Sequence, residues 1–267
     1  MGAAEQANTG KILAMGEILI DFIVADGAPS LELAETFVAR SGGAPANATV
    51  ALARLDLASA FCGVVGDDQF GSRLQAELAT EGVDTSRLRQ SGEDATTLAF
   101  AWKDSAGDGH FWLLRGVDAR LSEADANAAD VASLSALVVG SVSLSAQPAR
   151  SAIERAVDLA RQASVPVVFD VNLRPTLWPD LASARPVCEA VIRRSTLVKL
   201  SLDDASGLFG PRVGPDAAIE AVQSLGPSAV GSIASTRNAG TNVAVAPELN
   251  QQPRSPSVST TALGPSD

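Results

Sequence analysis

From Ser135 to Ser201 the chain alternates short apolar runs with amphipathic stretches. S-A-L-V-V-G-S-V-S-L starts at Ser135, V-P-V-V-F-D-V-N-L-R at Val165 and T-L-V-K-L at Thr196, with helical spacing over 149–163 and 181–194 between them. Strands this short and this continuously apolar are buried on both faces, so they pair in parallel, and each amphipathic stretch is the crossover between neighbours. The pattern predicts an α/β fold with an open, mostly parallel sheet covered by helices on both sides. Ligands bind such sheets at the carboxyl ends of the strands. Asp170, Asn172, Arg174, Lys199, Ser201 and Asp204 stand there. Each has a local alternative: Asp204 as a first-turn acid of a helix, Arg174 as a loop anchor.

Earlier in the chain, K-I-L-A-M-G-E-I-L-I-D-F-I-V (11–24) reads as an apolar strand interrupted by Gly16 and carrying Glu17 and Asp21. Charges in so apolar a run need partners or a ligand. Asp21 is therefore a candidate site residue, with a water-facing carboxylate at a sheet edge as the alternative. After a polar connection, S-G-G-A-P-A-N-A-T-V-A-L-A-R-L (41–55) places Gly42 and Gly43 before a helix opened by Pro45. Such a loop can touch what it binds, and the free N–H groups of the helix start, with the Asn47 amide, suit a polyol. A plain turn before a packing helix is the alternative. A strand over 58–65 and a helix over 70–81 follow, with Asp67 or Asp68 as the cap. T-T-L-A-F-A-W-K, the turn D-S-A-G-D-G and H-F-W-L-L-R predict a β-hairpin over 96–115, standing apart from the main sheet as a lid. His110, the only histidine, is expected at its surface or half-buried, and Trp102 and Trp112 are expected to pack the hairpin.

Composition narrows the partners. A formal charge of −11 without a basic run argues against nucleic acid, and no apolar span reaches membrane length. Cys62 and Cys188 lie in unrelated segments without metal-ligand spacing, which fits a reducing compartment. With no apolar leader at the N-terminus, a cytoplasmic protein is expected, its first ten residues a flexible tail.

Four segments in order carry a family resemblance: G-E-I-L-I-D-F (16–22), G-G-A-P-A-N (42–47), G-V-V-G-D-D-Q-F-G (63–71) and D-V-N-L-R-P-T-L-W-P (170–179). The chain resembles the ribokinase-type (pfkB) carbohydrate kinases, most closely the fructokinases, from about residue 11 to 230. The resemblance implies a three-layer α/β/α core, with a small β lid formed by about 15–42 and 93–118, over a sugar site. It implies phosphorylation of a sugar primary hydroxyl by ATP with Mg²⁺, fructose to fructose 6-phosphate. Asp21, Gly42, Gly43, Asn47, Asp170 and Asn172 would hold the sugar, Phe100 would line the pocket from the lid, and Arg174 would face the substrate or the transferred phosphoryl. Lys199, Ser201 and Asp204 would serve the nucleotide, Asp204 reaching the metal through water and no residue binding it directly. Related lids also form dimers.

The resemblance weakens in 231–267, which reads as a degenerate, partly disordered remnant of the nucleotide region. Where the family has D-T-T-G-A-G-D, whose last Asp is the base, V-S-T-T-A-L-G-P-S-D (258–267) sets Pro265 in the place of that Asp, with Asp267 two positions later. Proline neither accepts a proton nor offers an N–H. Impaired catalysis is expected. The alternatives are a non-catalytic sugar-binding protein and an oligomer partner.

Overall fold

The structure, a computed structural model, describes residues 10–227, 229–233 and 241–245. In chain order the strands and helices are β1 (Ile12–Met15), β2 (Leu19–Val24), β3 (Phe37–Gly42), α1 (Ala44–Arg54), β4 (Ser59–Gly66), α2 (Gln69–Thr80), β5 (Asp84–Ser91), β6 (Leu98–Lys103) and β7 (Gly109–Leu114). They continue with α3 (Glu123–Ala128), β8 (Ala136–Gly140), α4 (Ala149–Gln162), β9 (Val167–Asp170), α5 (Leu181–Ile192), β10 (Leu197–Ser201), α6 (Leu202–Phe209), α7 (Pro215–Gln223), β11 (Ala229–Ile233) and β12 (Thr241–Val245). The main sheet has the order β12-β11-β10-β9-β8-β1-β4-β5, parallel except between β11 and β12.

Side-chain alternation in the central strands builds two cores, one on each face of the sheet. Leu137, Val139, Val167 and Phe169 face the α4 side, where Ala152, Ile153, Ala156, Val157 and Ala160 of α4 recur at helical spacing and are fully buried. Val138 and Val168 face the opposite side, with Ala46 of α1 and Leu74 and Leu78 of α2. Each buried Val, Leu or Ile contributes about 1.5–3 kcal/mol, which is why strands of four or five residues suffice here. The predicted α/β architecture, with layers on both faces, is what forms.

The run 11–24 is not one strand. Gly16 N–H still bonds to Cys62 O within the main sheet, whereas Ile20 N–H bonds to Thr97 O, so the chain changes sheets at the corner between them. β2 becomes the centre of a second, four-stranded sheet, β3-β2-β6-β7, in which β6 and β7 are the predicted hairpin. Its inner face packs Leu19, Ala99 and Leu113 against Val142, just beyond β8. The outer face carries an aromatic row: Phe22 stacks on Phe100 and Phe100 on Trp112, with 5.5 Å between centroids in each pair. Trp102 stacks on His110, whose Nε2 lies 2.7 Å from Asp104 Oδ2, closing the hairpin turn at the surface.

Asp68 caps α2, accepting from Gly71 N–H at 2.8 Å, and also takes the Thr96 N–H at 2.7 Å, which fixes the chain entering the lid. Asp67 is exposed and caps nothing. Both cysteines are buried thiols, pushed up to about 12 by burial. The expectations for 1–9 and for Pro265 and Asp267 lie outside the described residues.

Candidate functional site

A cavity of about 470 Å³ opens where the lid, the start of α1 and the carboxyl ends of β9 and β10 meet. Asp21 enters it from the inner face of β2. Burial raises its pKa above the usual carboxylate value, and the charge of Arg174 across the cavity opposes that rise. The neighbouring β3 ends in Gly42, directly opposite Leu19 in the ladder. A Cβ there would lie 2.0 Å from Asp21 Oδ2, so only glycine leaves room for the carboxylate in this position. Gly42 thus supports the site without lining it. Gly43 follows as the α1 N-cap with φ 104°, and a Cβ on it would stand 2.5 Å from the Glu17 carbonyl oxygen. Its freedom turns the chain so that Asn47, exposed at the cavity mouth, and the first turn of α1 face the space in front of Asp21.

From the sheet come Asp170, Asn172, Arg174 and Lys199. Asp170 and Lys199 are ladder partners on β9 and β10, and Lys199 Nζ sits 2.8 and 3.0 Å from the two Asp170 oxygens. Burial raises the Asp170 pKa and the lysine partly offsets it. Asn172 takes the left-handed conformation, φ 39°, which turns the strand end toward Arg174. Arg174 makes no carboxylate ion pair among the described residues. It lies over the Phe111 ring, 5.4 Å from its centroid, and donates to Leu173 O at 3.2 Å. That leaves a cation available to an anionic ligand.

Arg174, Lys199, Asn172 and Phe111 also line a second space of about 400 Å³, bounded by Ser201, Asp203, Asp204 and the lid tip at His110. The two spaces are neighbouring chambers with Phe111, Asn172, Arg174 and Lys199 in the walls of both. Ser201 and Asp204 form a capping box at the start of α6. Asp204 is 5% exposed and accepts from Leu173 N–H at 2.6 Å and from the Ser201 N–H and hydroxyl at 2.8 Å each. Both oxygens hold backbone donors, so Asp204 positions the Arg174 loop while lining the second space. The exposed acid beside it is Asp203.

Phe100 departs from its expected place. Pairing sets it opposite Trp112 on the outer face of the lid, while Phe111, opposite Ala101, points inward. The period of two sends neighbours to opposite faces, so the aromatic side chain lining the cavity is Phe111. One further residue, Glu17, was not anticipated as part of the site. Glu17 is 2% exposed at the cavity wall, and burial, the largest cause, pushes its pKa up to about 7, with Asp118 adding to the rise and Arg115 opposing it. Its signal was present as a second acid in an apolar run. Arg115 and Asp118 pair with each other at the lid root, where Thr97 Oγ1 also bonds to Asp118.

A cleft with carboxylate, amide and glycine loop on one side and an unpaired guanidinium on the other fits a polyol beside an anion. Fructokinase-1 of Oryza sativa subsp. japonica is 37% identical over 201 residues, 74% of this chain and 62% of that protein, so this chain spans less than two thirds of its relative's length. A fructokinase structure from Halothermothrix orenii superposes with a TM-score of 0.79 at 30% identity, covering 89% of this chain and 85% of that one. An uncharacterized sugar kinase from Pyrococcus horikoshii, solved in complex with ATP, gives 0.76 at 27% identity, covering 88% and 74%. Residues 9–237 match the pfkB family carbohydrate kinase, and with that match running over most of its length the chain belongs to this family.

Proposed function

We propose that the first chamber binds a sugar and that the family reaction carried out there is ATP-dependent phosphorylation of a primary hydroxyl, fructose to fructose 6-phosphate. The observation that carries this reading is the pair of neighbouring chambers, with Asp21 and the Gly43–Asn47 turn lining one and Arg174 lining both. Asp21 accepts hydrogen bonds from sugar hydroxyls, and Asn47 both donates and accepts. Phe111, Leu19 and Leu113 cover the sugar from the lid and exclude water. Arg174 holds negative charge near the hydroxyl to be modified. Lys199, already paired with Asp170, sets the position of that carboxylate more than it adds net charge. The second chamber suits the nucleotide's phosphates, since Arg174 lines it and makes no carboxylate ion pair among the described residues. Among the described residues no cluster of acids could hold a metal ion, so Mg²⁺ in this reading is carried by nucleotide oxygens. Bound ATP and Mg²⁺ supply the phosphoryl group and neutralise its charge.

Turnover in this chain is impaired in the same reading, because Pro265 stands where the resemblance sets the base and Asp267 is the remaining carboxylate there. That substitution also favours the second reading, a sugar-binding protein without transfer. The half-exposed Trp112 and Leu114 on the outer lid suit docking of a second copy. No described helix is long and apolar enough to cross a membrane, and two buried thiols fit a cytoplasmic setting.

Calorimetry with fructose and a coupled assay of ADP release test these points. Fructose should bind, and ADP release should fall at least roughly 10²-fold below the ordinary kinase rate of about 1–100 per second, as loss of a base commonly costs. Absence of binding would refute the sugar site. An ordinary rate would refute the impairment, and binding with no ADP release would select the second reading.

A further inference from the structure

We infer that Glu17 is a positioning residue of the sugar loop, acting as the side-chain cap that α1 lacks at its own N-terminus. The α1 N-cap is Gly43, which has no side chain to accept a hydrogen bond, and the next position but one is Pro45, which has no N–H. The helix start is therefore left to a residue distant in sequence. Glu17 Oε1 accepts from Ala44 N–H at 3.3 Å, and Oε2 accepts from the Ser143 hydroxyl at 3.3 Å. Ser143 is completely buried in the turn after β8, and Glu17 sits at the corner where the chain leaves the main sheet for the lid. One carboxyl thus ties together three parts of the cavity wall: the lid corner, the α1 start and the β8 turn.

The groups that act on Glu17 by charge are Asp118 and Arg115 from the lid root. Asp21, on the next strand, lines the same cavity. An acceptor placed at a helix N-terminus fixes the first turn in direction as well as in energy. That turn carries Asn47, and its distance from Asp21 decides whether one sugar can reach both. Glu17 acts through Ala44 and Ser143, with no contact to the sugar required.

The inference uses the sugar reading only for its second readout. The first is hydrogen exchange of the Ala44 amide in the free protein, compared with amides of α4. Glu17→Leu, which keeps the volume but removes both acceptors, should speed Ala44 exchange about five- to thirtyfold, the worth of a helix cap, and leave α4 unchanged. Glu17→Gln, which can accept from Ala44 and donate to Ser143, should restore exchange to within about threefold of the original on the same scale. Fructose affinity should follow the same order. Unchanged Ala44 exchange in the Leu variant overturns the inference, and so does a Gln variant as defective as Leu. Failure of the unmutated protein to bind fructose refutes the sugar reading, and the exchange result still decides the role of Glu17. If Glu17→Leu does not fold, Ser143→Ala takes its place, and Ala44 exchange unchanged in it overturns the inference.

Discussion

Gly42→Ala adds a single methyl group, yet it should mimic removal of Asp21. The new Cβ would stand 2.0 Å from Asp21 Oδ2, 2.7 Å from its Cγ and 2.9 Å from Leu19 Cδ1. Ordinary contact needs well over an ångström more. The β2/β3 ladder fixes both backbones, so the relief must come from the side chains, and the free end of Asp21 is the softest element in reach. Swinging it off its rotamer costs about 0.5–1.5 kcal/mol, too little to unfold the protein. What is lost is aim. Each charge-assisted bond to a sugar hydroxyl is worth about 1.5–3 kcal/mol, so losing one weakens fructose about 10- to 150-fold. Calorimetry on Gly42→Ala, Asp21→Ala and the double variant tests the mechanism as a cycle. With the carboxylate gone only the 2.9 Å contact with the flexible end of Leu19 remains, so Gly42→Ala should cost little further affinity in the Asp21→Ala background. Independent, additive losses would refute the steric argument, and normal fructose affinity in Gly42→Ala would remove Asp21 from the site.

Phe111→Ala should weaken fructose at least roughly fivefold by opening the cavity to water, whereas Phe100→Ala should leave affinity within about twofold; the reverse order by calorimetry would mean the lid faces are misassigned. Asp204→Asn removes one acceptor from buried backbone donors and should lower stability by about 1–3 kcal/mol in urea unfolding, a midpoint shift that would be absent if the carboxylate were free for a metal. The pH dependence of stability tests Glu17. Its pKa is raised on folding from 4.5 to about 7, so the native state holds the proton more tightly and stability falls as pH rises across that interval. At about 1.4 kcal/mol per pH step the fall amounts to about 3 kcal/mol, and Glu17→Gln should lack it; identical pH profiles for the two proteins would contradict the burial of an ionisable group there.

The alternation after residue 135 was legible because each strand is buried on both faces and each helix has one apolar side, so composition and fold carry the same information. β5 was not, and the reason is its place at the sheet edge: Arg87 and Arg89 face water or Asp125 in a run, D-T-S-R-L-R-Q-S, with little apolar content. The corner between β1 and β2 was hidden because both strands are apolar, and periodicity reports burial without saying in which sheet. Phe100 and Phe111 both lie in aromatic runs, and only the cross-strand register tells which one faces inward. Asp204 read as a site residue because a carboxylate at a strand end looks the same in sequence whether it meets a ligand or three protein donors.

The two chambers share Phe111, Asn172, Arg174 and Lys199, but in the proposed reading the sugar contacts and the base come from different parts of the chain, and that separates binding from turnover. Three parts of the first chamber are set by neighbours already in place: Asp21 by the space left at Gly42, the α1 start by Glu17, Asp170 by Lys199. The second chamber has Arg174 and the α6 start, but the resemblance assigns the base to the stretch 258–267, where Pro265 stands. Changes in that stretch should therefore alter turnover and leave fructose affinity where it is, while changes at Gly42 or Asp21 should alter affinity whatever the fate of the base. A chain in which restoring an acidic residue at position 265 strengthened fructose binding tenfold would contradict this division. It would mean that the stretch 258–267 completes the sugar pocket.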